Sequence, residues 1–386
     1  MEQPAVPRRP PHVSRNNRLE TRHLSALSPL PPASKCGKRI VGYYTEWEPM
    51  KMKPRQLKKL THLIFQHIPM NATGHVNYQD SAQRRRLTEM RKMAKSENGK
   101  VKVMFSIGGH LNSEYLSGII ADLDIRKKFI NSIINFIKIN QLDGVDLFWN
   151  WPTSSDMDSF VDLVRELRGN LTEAAITESR KDHYLLSLVA PPTPSDYEQY
   201  FDLEKFLDHV DFVNVMVSTT MLRGLKKLES LSDQMLHCME ETTEIKLNMA
   251  VSFYGRYWKR VNTNDTDEMW KTAELTDGVA EGSFLTWRYL KKNGWTSEAV
   301  WHEETRTPFV WRPKERIFFV FENEQSLKEK MDYVTDNNLG GIYIWALGAD
   351  DDEDTLLDTV SSVDLCEGGS GDTINYMCDN ASINLK

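Results

Sequence analysis

The clearest structural signal in the chain is the sequence Leu142-Asp143-Gly144-Val145-Asp146-Leu147-Phe148-Trp149-Asn150-Trp151-Pro152. It predicts a short β-strand, because apolar residues dominate it and Pro152 ends it. Successive side chains of a strand point to opposite faces, so Asp146, Phe148 and Asn150 share one face. That face therefore carries a carboxylate, an aromatic ring and a neutral amide within an otherwise apolar segment.

From residue 39 onward, short β-rich segments alternate with helical segments, which is typical of a parallel α/β fold. One of these segments, Arg126–Asn140, predicts a helix with an apolar stripe that includes Phe129 and Ile133. Strands are predicted at Arg39–Tyr44, His62–His67, Lys102–Ile107, Gly144–Trp149, Tyr184–Val189, Phe212–Val217, Leu247–Phe253 and Gly341–Trp345. This pattern indicates a (β/α)8 TIM barrel, whose functional residues lie at the C-terminal ends of the strands.

The interval between the seventh and eighth predicted strands is too long for a single helix. It contains β-like sequences at Phe284–Trp287, Phe309–Trp311 and Arg316–Phe321, which predict a small α+β insertion over about residues 256–338. We predict a disordered Pro/Arg-rich leader over residues 1–38, a barrel domain over residues 39–364 and a C-terminal tail over residues 365–386.

The composition excludes several classes of function. A net charge of −7 gives no electrostatic footprint for nucleic acid. No apolar segment approaches the length of about 18 residues that would predict a membrane span. The cysteines are compatible with two disulfides in any of three pairings or with free thiols, and their spacing predicts no metal site: Cys36, Cys238, Cys366 and Cys378. We expect no cofactor.

Several segments, spread over roughly residues 39–352, resemble the strands of the glycoside hydrolase family 18 chitinases. The opening strand is similar to the family's Tyr-x-x-x-Trp, the third to Ser-x-Gly-Gly and the seventh to Tyr-Gly-Arg. The segments that carry the resemblance are Gly42–Trp47, Ser106–Gly109, Leu142–Pro152, Asp211–Met216, Phe253–Arg256 and Gly340–Leu347. The resemblance implies the family 18 barrel as the fold and chitin chemistry as the ancestral activity.

The fourth strand departs from the family motif Asp-Gly-x-Asp-x-Asp-x-Glu. In the family the glutamic acid protonates the glycosidic oxygen, the preceding aspartate orients the substrate acetamide, and a Tyr-Asp pair on strand six binds that acetamide. The sequence retains Asp143, Gly144 and Asp146, but the four catalytic positions hold Phe148, Asn150, Ser218 and Thr219. An amide has no proton to donate, and a positioned general acid contributes about 10²–10⁴ in rate. The resemblance therefore implies a catalytically inactive protein.

Sugar-binding clefts present aromatic rings, because a pyranose has apolar C–H faces that pack on them. The residues predicted to bind a ligand are Trp345, Tyr43, Trp47, Trp151, Tyr254 and Arg256. The chain most resembles the degenerate chitinase-like proteins of nematodes, which implies chitin or an N-acetylglucosamine oligosaccharide as the ligand.

Two alternatives stay open at this point. One is a scaffold or signalling protein that binds a protein partner and has lost sugar binding. The other is an active chitinase with relocated acids, for which Glu46, Asp156 and Asp158 are the candidates. We expect a monomer. The compartment is left open, because the family is mostly extracellular and the first 38 residues hold no recognisable secretory signal.

Overall fold

The computed structural model describes residues 38–45, 52–110, 112–191, 201–216, 246–266, 268–269 and 271–365. Parallel strands form a closed barrel, in the order β1-β15-β7-β6-β5-β4-β3-β2, with elements numbered along the chain. These strands are β1 Arg39–Thr45, β2 His62–Gln66, β3 Lys102–Gly108, β4 Gly144–Phe148, β5 Leu185–Ala190, β6 Phe212–Val215, β7 Leu247–Ser252 and β15 Gly341–Trp345. The predicted (β/α)8 barrel is confirmed.

Helices connect the strands and cover the outside of the barrel. Their bounds are α1 Pro54–Leu57, α2 Ser81–Glu97, α3 Leu116–Ala121, α4 Leu123–Asn140, α5 Met157–Thr177, α6 Leu203–Leu207, α7 Trp287–Lys292, α8 Glu324–Asp336 and α9 Thr355–Ser362. Helix α4 begins three residues before the predicted start, because the Asp122 carboxylate accepts hydrogen bonds from the backbone N–H groups of Asp124 and Ile125. In the described part of the chain no helix is long and apolar enough to cross a membrane.

The barrel interior consists of layers set by the alternation of side chains along each strand. Tyr43 and Asp146 meet near the middle of the barrel, where their side chains are hydrogen bonded to each other. Phe148 lies one layer higher on β4, and Trp345 ends β15 at a similar height. Three peptide bonds that follow barrel strands are cis: Gln66–His67, Asn150–Trp151 and Trp345–Ala346.

An antiparallel sheet is inserted between β7 and β15. Its first strand begins at Tyr254, just before the predicted insertion, and its other strands lie within the predicted range. Its strand order is β11-β8-β14-β13-β12, and the strands are β8 Tyr254–Trp258, β11 Gly282–Thr286, β12 Val300–His302, β13 Thr307–Arg312 and β14 Ile317–Val320. A short hairpin, β9 Leu275–Thr276 and β10 Val279–Ala280, precedes β11. One face of the sheet packs on the main core through Phe319, and the other holds a small cluster that includes Phe309 and Phe318.

The two ends of the barrel sequence are joined by a buried carboxylate. Asp354, at the start of α9, is fully buried and accepts hydrogen bonds from Lys53, Arg55 and Gln56 at the start of α1. The contact ties the segment after β15 to the segment between β1 and β2. Those strands are neighbours, so this contact supports the point where the barrel closes.

Candidate binding site at the barrel mouth

The retained motif residues on β4 differ in position and in partners. Asp143 precedes the strand at the N-terminal end of the barrel, where its carboxylate accepts from the Val103 N–H at 2.8 Å and from Lys95 Nζ at 2.9 Å. Gly144 packs against β5, and a Cβ there would lie 2.2 Å from the Leu185 carbonyl oxygen. Asp143 and Gly144 therefore stabilise the junction of neighbouring strands and lie away from the barrel mouth.

Asp146 points into the barrel and is fully buried. Its Oδ2 accepts hydrogen bonds from Tyr43 Oη at 2.9 Å and from Ser106 Oγ at 2.8 Å. Its Oδ1 accepts one from Ser187 Oγ at 2.7 Å. Burial raises the pKa of Asp146 to about 6, and the three hydroxyl donors oppose that rise. The carboxylate thus has the hydrogen-bond partners that a buried charge requires.

The hydrogen bonds continue from Tyr43 towards the other end of the barrel. Asn214 Nδ2 donates to Tyr43 Oη, and Asn248 Nδ2 donates to Asn214 Oδ1, both at 2.9 Å. Arg39 Nε donates to Asn248 Oδ1 at 3.0 Å. Tyr43 is fully buried, and its ring lies 5.2 Å from that of Trp345. The structure places Tyr43 beneath Trp345 and beside Tyr343, whose ring centroid is 5.6 Å away.

Phe148 is the centre of an aromatic cluster that it forms with His67, Trp151 and Trp345. Its ring centroid lies 5.9 Å from His67, 6.4 Å from Trp151 and 5.6 Å from Trp345, and the Trp345 contact is perpendicular. Phe148 is 4% exposed, so the ring fills the inner end of the mouth. Burial lowers the pKa of His67 to about 3, so this imidazole is neutral at physiological pH.

Asn150, which the motif resemblance predicts to occupy the general-acid position, is half-buried just beyond β4. Its backbone N–H donates to Ser113 Oγ at 3.1 Å. Ser113 Oγ in turn donates to the Gly109 carbonyl at 2.8 Å, which links the loop after β3 to the loop after β4. The backbone at this position is therefore held in place, while the side chain is a neutral amide.

A cavity lies beside Trp345 at the mouth of the barrel. Its empty volume, including the part open to solvent, is about 340 Å³. The polar groups among its described lining residues are hydroxyls and the Trp345 indole N–H, and none of these residues carries a charge: Phe148, Val189, Met216, Ala250, Ser252, Tyr254, Tyr343 and Trp345. Burial raises the pKa of the Tyr254 hydroxyl, which therefore stays protonated and can donate a hydrogen bond.

Arg256 follows Tyr254 on β8 and lies over the inserted sheet. Its guanidinium carbon is 5.1 Å from the Trp258 ring centroid and 5.3 Å from that of Phe284. Within the described residues, Arg256 Nε is buried without a hydrogen-bond partner. The Phe284 ring meets Tyr254 nearly perpendicularly at 5.2 Å. Tyr254 lines the cavity, whereas Arg256 does not.

Several predicted residues lie outside the part of the chain that the structure describes. They are Trp47, Glu46, Ser218, Thr219, the four cysteines, the leader up to residue 37 and the tail from residue 366. Within the described ranges, no group of three or more His, Cys, Asp or Glu side chains is arranged to hold a metal ion.

Sequence reasoning missed two polar residues inside the barrel, Ser187, which donates to Asp146, and Asn214, which donates to Tyr43. Ser187 and Asn214 lie on the inner faces of β5 and β6, and each interrupts an otherwise apolar strand. A polar residue at an inward position of a buried strand needs a partner inside the barrel. That signal was present in the sequence, although the identity of the partner depends on barrel closure.

Comparisons with known proteins agree with the fold. Chitinase B of Serratia marcescens is 21% identical over 381 residues, with 79% of this chain and 76% of that protein covered. Among solved structures, a mutant of the class V chitinase of Nicotiana tobaccum in complex with NAG4 has a TM-score of 0.73 at 19% identity and covers 84% of this chain and 98% of its own. Human YKL-39, described as a pseudo-chitinase with retained chitooligosaccharide-binding properties, has a TM-score of 0.71 at 20% identity and covers 84% and 99%.

The family assignment rests on a match over most of the barrel. The model of the glycosyl hydrolases family 18 matches residues 39–350, which run from the first residue of β1 to the segment after β15. The closed parallel barrel and its inserted sheet account for the same span. The chain therefore belongs to the glycosyl hydrolases family 18.

Proposed function

We propose that this protein is a non-hydrolysing member of family 18 that binds chitin or N-acetylglucosamine oligosaccharides at the barrel mouth. One observation carries the proposal. The cavity beside Trp345 is lined, among the described residues, by aromatic, aliphatic and hydroxyl groups without a carboxylate. Such a lining suits the apolar faces and hydroxyls of a sugar but lacks a proton donor for its glycosidic bond.

The chemistry at the two altered β4 positions supports the loss of hydrolysis. Asn150 offers an amide where the family reaction needs an acid, and an amide does not release a proton at physiological pH. Phe148 offers a buried ring where that reaction needs a carboxylate beside the acetamide. Asp146 is ionisable with a pKa of about 6, but it is fully buried beneath Phe148 and already accepts three hydrogen bonds. Among these residues, none is placed to protonate the glycosidic oxygen and none is placed to orient the substrate acetamide.

The alternative of an active chitinase with relocated acids has little support in the positions of the candidate residues. Asp156 is 8% exposed and accepts hydrogen bonds from the Thr153 N–H and hydroxyl and from Ser117 Oγ. The Asp158 side chain is 91% exposed, and its partner is Lys205. Neither residue lines the cavity. Glu46 lies outside the described residues.

Binding is supported by the setting of Trp345. The indole is half-buried, with Tyr43 at 5.2 Å beneath it and Phe148 at 5.6 Å beside it. A ring held on two sides loses little conformational entropy when a ligand packs on its exposed part, which favours affinity. The chitooligosaccharide complex of the tobacco relative and the retained binding of YKL-39 point to the same class of ligand.

The scaffold alternative has one observation in its favour. Leu275 and Val279 on the β9–β10 hairpin are 62% and 68% exposed, and exposed apolar residues are found at protein interfaces. This exposed surface lies on the insertion, and protein binding there would not account for the cavity beside Trp345. We therefore rank oligosaccharide binding first.

Two measurements test the proposal. In the first, the full chain is incubated with a chromogenic chitooligosaccharide, and no release above a heat-inactivated control is expected. In the second, chitotetraose is titrated by calorimetry, and Trp345→Ala is expected to weaken binding about tenfold or more, as loss of a buried aromatic anchor does. Trp301→Ala, on the far strand β12, is the matched control and should bind like the wild type.

The outcomes separate the three functions. Turnover above the control would contradict inactivity and favour relocated acids. Absence of chitotetraose binding, or binding that Trp345→Ala leaves unchanged, would remove the oligosaccharide proposal and leave the protein-binding scaffold.

A further inference from the structure

Asn-x-Thr sequences occur at three places in the part of the chain that the structure describes. They are Asn71-Ala72-Thr73, Asn170-Leu171-Thr172 and Asn264-Asp265-Thr266. This triplet is the acceptor sequence for N-linked glycans, which occupy surface loops. The structure distinguishes the three places, because a transferase has to reach both the side-chain amide and the hydroxyl of the triplet.

Asn170 lies inside helix α5 and is unsuited to carry a glycan. Its Nδ2, the atom to which a glycan would be attached, donates to the Glu166 carbonyl at 2.8 Å. The Thr172 hydroxyl donates to the Arg168 carbonyl at 3.0 Å, and Leu171 between them is fully buried. Both polar groups of this triplet are therefore used within the folded helix.

The triplet at Asn264 carries a negative charge in its middle. The Asp265 carboxylate accepts hydrogen bonds from the Thr272 N–H at 2.5 Å and from the Thr272 hydroxyl at 2.8 Å. The bond from the Thr272 N–H lowers the pKa of Asp265, so the carboxylate stays ionised. The glycan donor is itself an anionic pyrophosphate, and a carboxylate next to the acceptor amide repels it.

Asn71 presents both groups of its triplet to solvent. Asn71, Ala72 and Thr73 are all exposed, on the loop that follows β2. Thr73 Oγ1 donates to Asn71 Oδ1 at 2.8 Å, so the hydroxyl and the amide lie together. Asn71 Oδ1 also accepts from the backbone N–H groups of Thr73 at 3.1 Å and His75 at 3.0 Å. Within the described residues, the Asn71 Nδ2 donates no hydrogen bond and stays available for modification.

The loop is anchored beneath the exposed triplet. Met70 and Val76 are buried and form an antiparallel bridge, and the Val76 N–H donates to Ser132 Oγ on α4 at 2.8 Å. Gly74 is buried with a φ of +77°, and a Cβ there would lie 3.0 Å from the backbone of α4. The buried residues of the loop thus pack on α4, while the triplet faces outward. A glycan at Asn71 can be accommodated without displacing this packing.

We propose that Asn71 accepts an N-linked glycan when the chain passes through the lumen of the endoplasmic reticulum. The donor is an oligosaccharide carried on a lipid pyrophosphate. A bond forms between Asn71 Nδ2 and C1 of the first sugar, and the bond from C1 to the pyrophosphate oxygen breaks. The Nδ2 proton goes to a base of the transferase, and the lipid pyrophosphate leaves. No described residue of β2 or of this loop lines the cavity beside Trp345, so the proposal is independent of oligosaccharide binding there.

The test locates the modified residue directly. The full chain is expressed in mammalian cells behind a supplied secretion signal, and only chain recovered from the lumen or the medium is measured, so that translocation is assured. Peptide N-glycosidase F in heavy-oxygen water converts each glycan-bearing Asn to a labelled Asp, which peptide mass spectrometry identifies. We expect the label at Asn71 and its absence at Asn170.

Variants of the hydroxyl provide the check that the whole triplet is read. Thr73→Ala keeps the Asn71 amide and should lose the label, whereas Thr73→Ser keeps a hydroxyl and should retain it. Asn71→Gln should abolish the decrease in mass that the glycosidase causes at this loop. Asn170→Gln is the matched control and should leave that decrease unchanged.

The remaining outcomes contradict the proposal. An unlabelled Asn71 in the translocated chain would overturn it, and so would a label at Asn71 that survives Thr73→Ala. A label that forms without the glycosidase reports deamidation and counts against a glycan. Equal labelling of Asn71 and Asn170 would show that the folded positions of the triplets do not select the acceptor.

Discussion

Asp146 is a single residue whose surroundings give it a structural role in the barrel. Its carboxylate accepts hydrogen bonds from three buried hydroxyl groups, those of Tyr43, Ser106 and Ser187. Removing the acceptor would strand three donors in the core, and each buried unsatisfied group costs about 1–3 kcal/mol. The residue is therefore retained for folding.

Asp146→Ala is expected to lower the free energy of unfolding by about 2–4 kcal/mol, because the three hydroxyls lose their acceptor. Asp146→Asn keeps one acceptor oxygen and should be less destabilising. Urea unfolding followed by circular dichroism measures both variants. An alanine variant as stable as the wild type would show that the hydrogen bonds of Asp146 add nothing to folding.

The raised pKa of Asp146 also predicts a pH dependence of stability. Burial raises this pKa from 3.8 to about 6, so the folded state holds the proton more tightly than the unfolded chain. Its stabilising contribution is complete below pH 3.8 and is lost as the pH rises through about 6. Asp350, with a pKa also raised to about 6 by burial, acts in the same window. Burial lowers the pKa of His62 and His67 to about 3, and these groups act in the opposite direction over the same range. The prediction is therefore a fall in the difference in unfolding free energy between the wild type and Asp146→Asn as the pH rises from about 4.5 to 7.5.

Asp146→Asn provides the check on that assignment. The difference in unfolding free energy between the two proteins should change by at most about 3 kcal/mol over this range, since one pKa unit corresponds to about 1.4 kcal/mol. The titration stays above about pH 4.5, because Asp211 and Asp351 have pKa values lowered to about 2. Their contributions are present above the unfolded pKa and are lost as the pH falls towards 2. An unchanged pH profile in Asp146→Asn would assign the dependence to Asp350 or to other groups.

Among the secondary-structure elements, β4 shows how closely a barrel strand must approach its neighbour. Gly144 opens the strand where the Leu185 carbonyl of β5 comes nearest. The sequence predicted this strand well, because its apolar run and Pro152 are local signals. It also predicted that Asp146 and Phe148 share a face, since alternation is a property of any strand.

Gly144→Ala is expected to destabilise the protein by about 1–3 kcal/mol, because its Cβ would lie 2.2 Å from the Leu185 oxygen. Gly118→Ala in α3 is the control, since a Cβ there has no neighbour within 4 Å. Alanine favours helix by up to about 1 kcal/mol, so this variant should be neutral or more stable. Thermal unfolding compares the two. Equal melting temperatures would mean that β4 and β5 relax without cost.

The partners across strands were not predictable from the sequence. Asn214 and Asn248 lie 34 residues apart, and Tyr43 lies 171 residues from Asn214, yet all three belong to one chain of hydrogen bonds. These pairs exist only after the barrel closes, so no local pattern encodes them. The same holds for Phe284, whose position beside Tyr254 follows from the register between β11 and β8.

For the whole molecule, the contact of Asp354 with α1 is a closing element of the barrel. Asp354→Ala is expected to lower the free energy of unfolding by about 1–3 kcal/mol, because buried Gln56 loses its acceptor, while Lys53 and Arg55 lose an ion-pair partner but stay partly exposed to water. Asp358→Ala on the same helix is the control, since its side chain is 57% exposed and its ion pair with Lys59 contributes little. Urea unfolding measures both. Equal losses would argue against a special role for the closing contact.

The packing of Phe148 has a consequence for any redesign of the barrel mouth. Three aromatic side chains, those of His67, Trp151 and Trp345, surround its ring. An aspartate introduced at this position alone would bury an unpaired charge among them and leave a void, at a cost of several kcal/mol. The aromatic cluster is therefore a stability barrier to a carboxylate at this level of the barrel, and a redesign would have to replace the surrounding rings together with Phe148.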